Sequence, residues 1–317
     1  MQISVVICTY NRCDNLRRTL GTLVGVAVPP DLQWELLVID NNSRDATRAV
    51  CAEFEGRLPL RYVFEPQQGL SAARNRAIRE VQGELLVFTD DDVDVDVKWL
   101  QAYFEAFKLH PDATFFGSKI IPRWECTPPP WVAQHAQTLL AGSSIFWDLG
   151  EATVKLATHR DKVPIGANMA IKTQALRDIK GYKEGLGRNG SSMLGMEDAE
   201  MIWRLMDRGD WGFYFPGAVV HHRNPKERTT EKYIRRWYFA YGRGEVITGQ
   251  IPAEKLVFGA PRWAWRAFAA DAAGYLLTRL VCPPAKWLNA EVRAAKTLGI
   301  IYEFRRHRAG DEKSKHP

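Results

Sequence analysis

At 317 residues, 46% hydrophobic and 25% charged, the chain has the composition of an ordinary globular protein with room for one large domain or two small ones. Its five scattered cysteines (Cys8, Cys13, Cys51, Cys126, Cys282) form no C-x-x-C unit, which excludes a zinc-ribbon or disulfide framework and fits a reducing cytoplasm. Residues 223–317 hold 19 Lys and Arg against 9 Asp and Glu, whereas residues 1–222 hold 24 against 28, so the basic excess belongs to the C-terminal part.

The first residues, Met-Gln-Ile-Ser-Val-Val-Ile-Cys, start directly with a strand over 3–8 and lack a charged n-region, so no signal peptide is expected. Thr9, Tyr10, Asn11 and Arg12 read as a loop, followed by a helical pattern over 13–25. A second strand, 35–40, ends in Asp40; Asn41, Asn42 and Ser43 then precede a helix at about 44–54. A third strand covers 60–64. A helix over 69–81 turns Leu70, Ala73, Ala77, Ile78 and Val81 inward and stops at Gly83. A fourth strand covers 85–89. Four βα units in about 90 residues imply a mostly parallel sheet covered on both faces.

Asp90, Asp91 and Asp92 follow that fourth strand at once, at the edge where open α/β sheets bind ligands. Alternate side chains diverge, so Asp90 and Asp92 can share one site while Asp91 turns away. Adjacent carboxylates repel, and a hard divalent cation, Mg²⁺ or Mn²⁺, would relieve that; a solvated acidic turn is the plainer alternative. No G-x-G-x-x-G or Gly-Lys-Ser/Thr loop precedes the first helix, which argues against a dinucleotide dehydrogenase and a P-loop enzyme. Asp40 suits either a nucleobase or ribose donor or the cap of the next helix. Arg74, on the face opposite Ala77 and Ile78, suits a phosphate or solvent.

From about 122 the periodicity breaks. Trp124, Trp131 and Trp147 in the stretch 122–163 are either packing residues or sugar-stacking acceptor contacts. A strand is expected at 164–171. A glycine-rich, mobile loop over 181–195 then delivers Glu197 and Asp198 to a helix N-terminus. Short strands are expected at 213–215 and 218–220, the latter ended by His221 and His222, surface residues unless they face the acidic cluster. Helices are expected over 230–248, 262–280 and 284–305. The last two mix Trp, Phe and Leu with Arg, as interfacial helices do and as helices packed on their own domain also do. No stretch reaches the ~18–20 apolar residues that span a bilayer.

Taken together, the motifs resemble the family 2 glycosyltransferases of the GT-A fold. They are Val5-Val6-Ile7-Cys8-Thr9-Tyr10-Asn11-Arg12, Val38-Ile39-Asp40-Asn41-Asn42-Ser43, Gly69-Leu70-Ser71-Ala72-Ala73-Arg74-Asn75, Phe88-Thr89-Asp90-Asp91-Asp92, Gly166-Ala167-Asn168-Met169-Ala170 and Gly195-Met196-Glu197-Asp198. The resemblance covers about residues 1–222. It implies an α/β, Rossmann-like sheet, mixed but mostly parallel, with helices on both faces. It further implies a nucleotide-diphosphate sugar donor and a divalent metal. By it, Thr9 and Asp40, with Tyr10, Asn11 and Arg12 beside them, would hold the donor base. Arg74 and Asp90, with Asp91, would hold the nucleotide, and Asp92 the metal. Glu197-Asp198 looks like the acidic pair that supplies the catalytic base, and His221 or His222 looks metal-proximal.

The chemistry agrees with that implication. A nucleoside diphosphate leaves well when a cation neutralises it, and with no second carboxylate nucleophile evident, a single displacement with inversion needs one base, for which Asp198 is suited. The expected organisation is a catalytic domain over 1–248, divided at 121/122 into nucleotide and acceptor halves, and an amphipathic helical extension over 249–317. The acceptor is expected to be a glycan or lipid-linked, in cell-surface polysaccharide or glycolipid synthesis, with no nucleic-acid partner. The enzyme is expected in the cytoplasm, with peripheral attachment to an anionic inner membrane face. The rivals are a sugar-phosphate nucleotidyltransferase, whose basic glycine loop is missing at Thr9–Arg12, and an inactive nucleotide- or glycan-binding relative.

Overall fold

The structure, a computed structural model, describes residues 1–190 and 192–314. Ser191 of the expected glycine-rich loop and residues 315–317 of the expected extension lie outside the described residues. In chain order the strands are β1 (Ile3–Thr9), β2 (Trp34–Asp40), β3 (Leu60–Phe64), β4 (Leu85–Asp90), β5 (Val93–Val95), β6 (Phe115–Gly117), β7 (Ile120–Trp124), β8 (Val154–Leu156), β9 (Asn168–Lys172), β10 (Gly212–Tyr214), β11 (Val220–Asn224), β12 (Leu256–Val257) and β13 (Ala260–Pro261). The helices are α1 (Cys13–Leu23), α2 (Thr47–Ala52), α3 (Leu70–Glu80), α4 (Trp99–Leu109), α5 (Pro130–His135), α6 (Ala141–Ser144), α7 (Thr173–Asp178), α8 (Glu197–Asp207), α9 (Glu231–Ile247), α10 (Arg262–Arg279) and α11 (Pro284–Ser314).

The chain forms two compact units, each assembled from separate stretches. The first comprises 1–125, 145–190 and 197–224; the second comprises 126–144, 191–196 and 225–317. Helix α9, read from sequence as the end of the catalytic domain, groups with α10 and α11.

The first unit is built on an eight-stranded sheet in the order β3-β2-β1-β4-β9-β6-β10-β8. β1 runs parallel to β2 and β4, as continuous apolar runs buried on both faces demand: Val5, Val6, Ile7, Leu36 to Ile39 and Leu85 to Val87 are all fully buried. β9 enters antiparallel between β4 and β6, which makes the sheet mixed. A three-stranded sheet, β5-β11-β7, lies beyond the acidic strand end.

Several local readings change. His221 and His222 lie within β11 and do not end a strand, because the strand begins at Val220 and pairs with β5 and β7. The helix expected at 44–54 shortens to α2, because Asp45 accepts from the Thr47 N–H at 3.0 Å and the Cys13 N–H at 2.9 Å, which holds the preceding residues in a turn. Between the acidic run and β7 the chain also forms β5, α4 and β6, elements not expected from the sequence. The loop after Gly181 is tied to α3 where mobility was expected. The Leu70 N–H donates to the Arg188 carbonyl at 2.9 Å, Ser71 Oγ to the Leu186 carbonyl at 2.7 Å and Asn75 Nδ2 to the Tyr182 carbonyl at 2.9 Å.

In the second unit, α11 packs along both α9 and α10. Glycine makes the α9–α11 crossing close: a Cβ on Gly242 would lie 2.0 Å from the Lys296 carbonyl oxygen, and one on Gly299 would lie 2.0 Å from that of Phe239. Ion pairs Arg243–Glu303, Lys296–Glu245, Arg279–Glu231 and Arg293–Asp271 lace the three helices together.

Candidate active site

Strand register brings the motifs together. Thr9 pairs with Asp40 across β1–β2, and Cys8 pairs with Asp90 across β1–β4, so three polar strand ends share one edge. Alternation then sorts the aspartates. Asp91 turns to the β1 side, where its carboxylate accepts from Thr9 Oγ1 at 2.7 Å and Arg12 Nη1 at 2.8 Å. Asp90 and Asp92 gather with His222, and the second oxygen of Asp92 also accepts from Arg12 Nη1 at 2.9 Å.

Antiparallel pairing of β11 with β5 sets His222 opposite Val93 and carries its ring to Asp92, with Nε2 3.1 Å from Oδ1. His221, one residue earlier, faces outward and is exposed, so the histidine doublet resolves by strand alternation. One ligand atom each from Asp90, Asp92 and His222 lies within 4.8 Å of the others. Two carboxylates and an imidazole form a donor set that suits Mn²⁺ or Mg²⁺, and the buried His222 Nδ1 has no hydrogen-bond partner among the described residues. Arg12 Nη1 bridges Asp91 and Asp92 at 2.8 and 2.9 Å. Burial raises the Asp90 carboxyl, with Asp92 adding to it. Burial pushes Asp91 up to about 6 against the pull of Arg12.

A second carboxylate pair stands at the start of α8. Arg74 is buried, and its Nη1 binds Asp198 Oδ1 at 2.6 Å and Glu197 Oε1 at 3.1 Å. Of the two sequence readings of Arg74, burial removes the solvent-facing one. α3 is covered on more than one side, so Ser71, Ala72, Ala73, Arg74, Ala77 and Ile78 are all buried. The guanidinium also lies over the rings of Tyr182 and Phe88, at 5.1 and 5.6 Å. The Gly166 N–H donates to Asp198 Oδ2 at 2.9 Å, and a Cβ there would sit 2.0 Å from Arg74 Nη2, so only glycine fits. Burial pushes the Asp198 carboxyl up to about 6; Arg74 opposes that and Glu197 adds to it.

The other sequence candidates divide by environment. Asp40 accepts from the Ser43 N–H at 2.9 Å and Tyr62 Oη at 2.7 Å, and so braces its own turn. Asn11, at φ +50°, links the first two strand-end loops: its N–H donates to Ser43 Oγ at 2.9 Å and its Oδ1 accepts from the Arg44 N–H at 2.7 Å. Tyr10 is exposed at the same edge. Trp147 is a core residue, buried against Tyr214, and Trp131, half-buried, belongs to the second unit and packs against Trp287. Trp124 is half-buried at the end of β7.

Sequence reasoning missed Arg223. Fully buried, it donates through Nη1 to the Val93 carbonyl at 2.9 Å and through Nη2 to Thr19 Oγ1 at 2.8 Å and the Asp91 carbonyl at 3.1 Å, and it pairs with Asp94. It staples the backbone of the acidic turn. A basic residue directly after the histidine doublet, on the same alternation as the exposed His221, was its only signal.

A parallel nucleotide-type edge with an acidic cluster and a separately held carboxylate pair defines a GT-A type transferase. The family model "Glycosyl transferase family 2" matches residues 4–180, and the chain belongs to that family and is a glycosyltransferase. It is 26% identical over 308 residues to the succinoglycan biosynthesis protein ExoM of Rhizobium meliloti, covering 95% of this chain and 92% of that one. It is 23% identical to the hyaluronan synthase of Pasteurella multocida over 81% of this chain but only 27% of that longer protein. Among solved structures, the mannosyltransferase PcManGT of Pyrobaculum calidifontis, in complex with GDP-Man and Mn²⁺, superposes with TM-score 0.64 at 20% identity, covering 95% and 86% of the two chains. Residues 1–349 of TarS from S. aureus match with TM-score 0.54 at 16% identity, over 98% and 92%. Both likenesses extend the GT-A fold assignment across nearly the whole chain.

Proposed function

We propose that the protein moves a sugar from a nucleoside diphosphate donor to an acceptor hydroxyl with inversion, in a reaction that depends on a divalent cation. The observation that carries this reading is the presence of two separate acidic sites, the Asp90–Asp92–His222 cluster and the Arg74-bound Glu197–Asp198 pair. Asp90, Asp92 and His222 are the residues that would hold Mn²⁺ or Mg²⁺. When bound, the ion supplies charge neutralisation to the departing diphosphate. PcManGT, one of the structural neighbours, was solved with GDP-Man and Mn²⁺, which supports a donor of this class.

The protein's own groups do the rest. Thr9, Tyr10, Asn11, Arg12 and Asp40 bound the donor edge on the base side, and Asp91, held by Thr9 and Arg12, fixes the turn that carries Asp90 and Asp92. Arg74 contributes by holding Glu197 and Asp198 in place. Asp198 takes the proton of the acceptor hydroxyl as the sugar bond forms. A carboxylate pushed up to about 6 is still ionised at neutral pH and is a stronger base than an ordinary aspartate. Its two oxygens are fixed by Arg74 and the Gly166 N–H, so orientation is supplied before the substrate arrives. Glu197 is the alternative base.

The acceptor is a glycan or a lipid-linked sugar in cell-surface polysaccharide or glycolipid synthesis. This reading is supported by the names of relatives such as the succinoglycan protein ExoM, which this chain matches at nearly full length. No helix among the described residues is long and apolar enough to cross a membrane. The working location is the cytoplasmic face of the membrane, held peripherally.

The test is nucleoside diphosphate release from a panel of nucleotide sugars with Mn²⁺ or Mg²⁺, for wild type and Asp92→Ala. Wild type should release one nucleoside diphosphate in a metal-dependent way, and the variant should release none while keeping its circular dichroism spectrum. Wild-type turnover by the variant would remove the metal assignment.

A further inference from the structure

The second unit contains a cavity of about 580 Å³ between α9, α10 and α11 that no step above uses. Its size falls within the ~300–1,000 Å³ of small-molecule sites. Small residues make the space: Ala240 on α9, Ala272 on α10, and Ala294 and Ala295 on α11 all line it. Larger side chains there would close the bundle.

One end of the cavity holds polar groups that are incompletely paired, and the other is mainly apolar, with its one arginine, Arg243, paired to Glu303. α9 and α11 run alongside each other in the same direction, since Arg235 meets Glu291 and Arg243 meets Glu303. α10 runs the opposite way, since Asp271 meets Arg293 and Gly274 faces Ala290. Arg235, Arg236 and Glu291 therefore gather at one end, and Phe268 and Leu298 at the other, beside Arg243, whose guanidinium is taken up by Glu303.

The polar end is incompletely satisfied. Glu291 is 4% exposed, and neither carboxylate oxygen makes a hydrogen bond among the described residues, although Arg235 Nε stands 3.3 Å from Oε1. A buried carboxyl in that state calls for a polar partner. Burial, with Glu231 adding to it, pushes Glu291 up to about 7, so near neutrality its protonated form can donate a hydrogen bond to an anion. Arg236 lines the same end, is exposed and has no ion-pair partner among the described residues. A guanidinium without a carboxylate, beside a carboxyl that can donate, suits the oxygens of a phosphate.

We propose that this cavity binds a single-chain amphiphile ending in a phosphate, with its alkyl chain running over the alanine floor to Phe268 and Leu298 and its phosphate held by Arg236 and Glu291. The binding claim stands on the cavity alone. Naming the amphiphile as the anchor of the acceptor rests on the transfer reading above, and an assay of binding without turnover separates the two.

Calorimetric titration of the full chain with decyl phosphate, below its critical micelle concentration, tests the claim, with 1-decanol and inorganic phosphate as comparisons. Decyl phosphate should bind at one saturable site, decanol about tenfold more weakly, and inorganic phosphate without saturation. Ala294→Phe should weaken decyl phosphate at least about tenfold while nucleoside diphosphate binding persists, which reports an intact fold. Arg236→Gln, on an exposed side chain, should lower decyl phosphate to the level of decanol. Absence of saturable binding, equal affinity for decyl phosphate and decanol, or undiminished binding by either variant would overturn the proposal. If Ala294→Phe does not fold, Arg236→Gln decides.

Discussion

Asp198 and Gly166 are where single atoms carry the chemistry. If Asp198 is the base, kcat should fall on an acid limb with an apparent pKa near 6, because protonation below that pH removes the acceptor of the proton. Asp198→Asn keeps the shape and abolishes basicity, so kcat should drop by about 10²-fold or more while the donor KM holds. A loss confined to the donor KM would move Asp198 to the donor side, and a comparable collapse in Glu197→Gln alone would make its neighbour the base. Gly166→Ala removes no functional group, yet its Cβ would meet Arg74 Nη2 at 2.0 Å. Overpacking of this kind costs about 1–3 kcal/mol. The melting temperature and kcat should fall together, and a variant with wild-type values for both would mean that the Arg74 clamp adjusts freely. The carboxylates themselves were legible in the sequence: Asp90, Asp91 and Asp92 directly after an apolar run announce a strand end, and Glu197 and Asp198 open an amphipathic helix after a glycine-rich stretch. Their partners were not: nothing in the local pattern tells that Arg74 faces inward, since α3 is covered on several sides, or that Arg223 reaches back across the chain to Asp91.

At the level of elements, the strands β1, β2 and β4 and their mostly parallel sheet could be read from sequence because each is a mainly apolar run with a polar terminator, a signal local to the chain; β3, with Arg61 inside it and Phe64 at its end, carries a weaker one. The insertion of β9 antiparallel between β4 and β6 could not, because pairing partners more than 50 residues apart leave no mark on either segment. The same holds for β11, whose pairing with β5 decides which histidine meets Asp92. The α9–α11 crossing offers the cleanest test of an element-level claim. Gly299→Ala would drive a Cβ against the Phe239 carbonyl, a backbone atom that cannot swing aside. Its cost should reach or exceed the ~1–3 kcal/mol of ordinary overpacking. Differential scanning calorimetry should show a lower transition. An unshifted or raised transition, as glycine-to-alanine exchange gives in an unobstructed helix, would mean that α9 and α11 do not approach as closely as described.

For the whole molecule, the open issue is what the C-terminal helices meet. Their excess of 19 Lys and Arg over 9 Asp and Glu survives the pairing of Arg279 with Glu231, Arg243 with Glu303 and Arg293 with Asp271, but charge of that kind alone does not choose between a membrane and another anionic surface. Beside that charge lies an apolar tip. Leu277, Leu280 and Val281, at the end of α10, are 76%, 90% and 80% exposed, and Lys286 stands exposed nearby. Burying each such side chain in an apolar medium contributes about 1.5–3 kcal/mol, and each basic residue near an anionic leaflet about 1 kcal/mol. Together these suffice for reversible peripheral attachment and fall far short of insertion. The protein should therefore float with anionic vesicles at low salt and be only partly released at high salt, because the apolar share is not screened. Replacing Leu277, Leu280 and Val281 with Ser should abolish flotation while leaving decyl phosphate binding intact, since none of the three lines the cavity. Flotation by the triple variant at the wild-type level would assign attachment to charge elsewhere. Recovery of the wild type in the soluble fraction with anionic and neutral vesicles alike would leave the tip of α10 as a surface for another protein or a second copy.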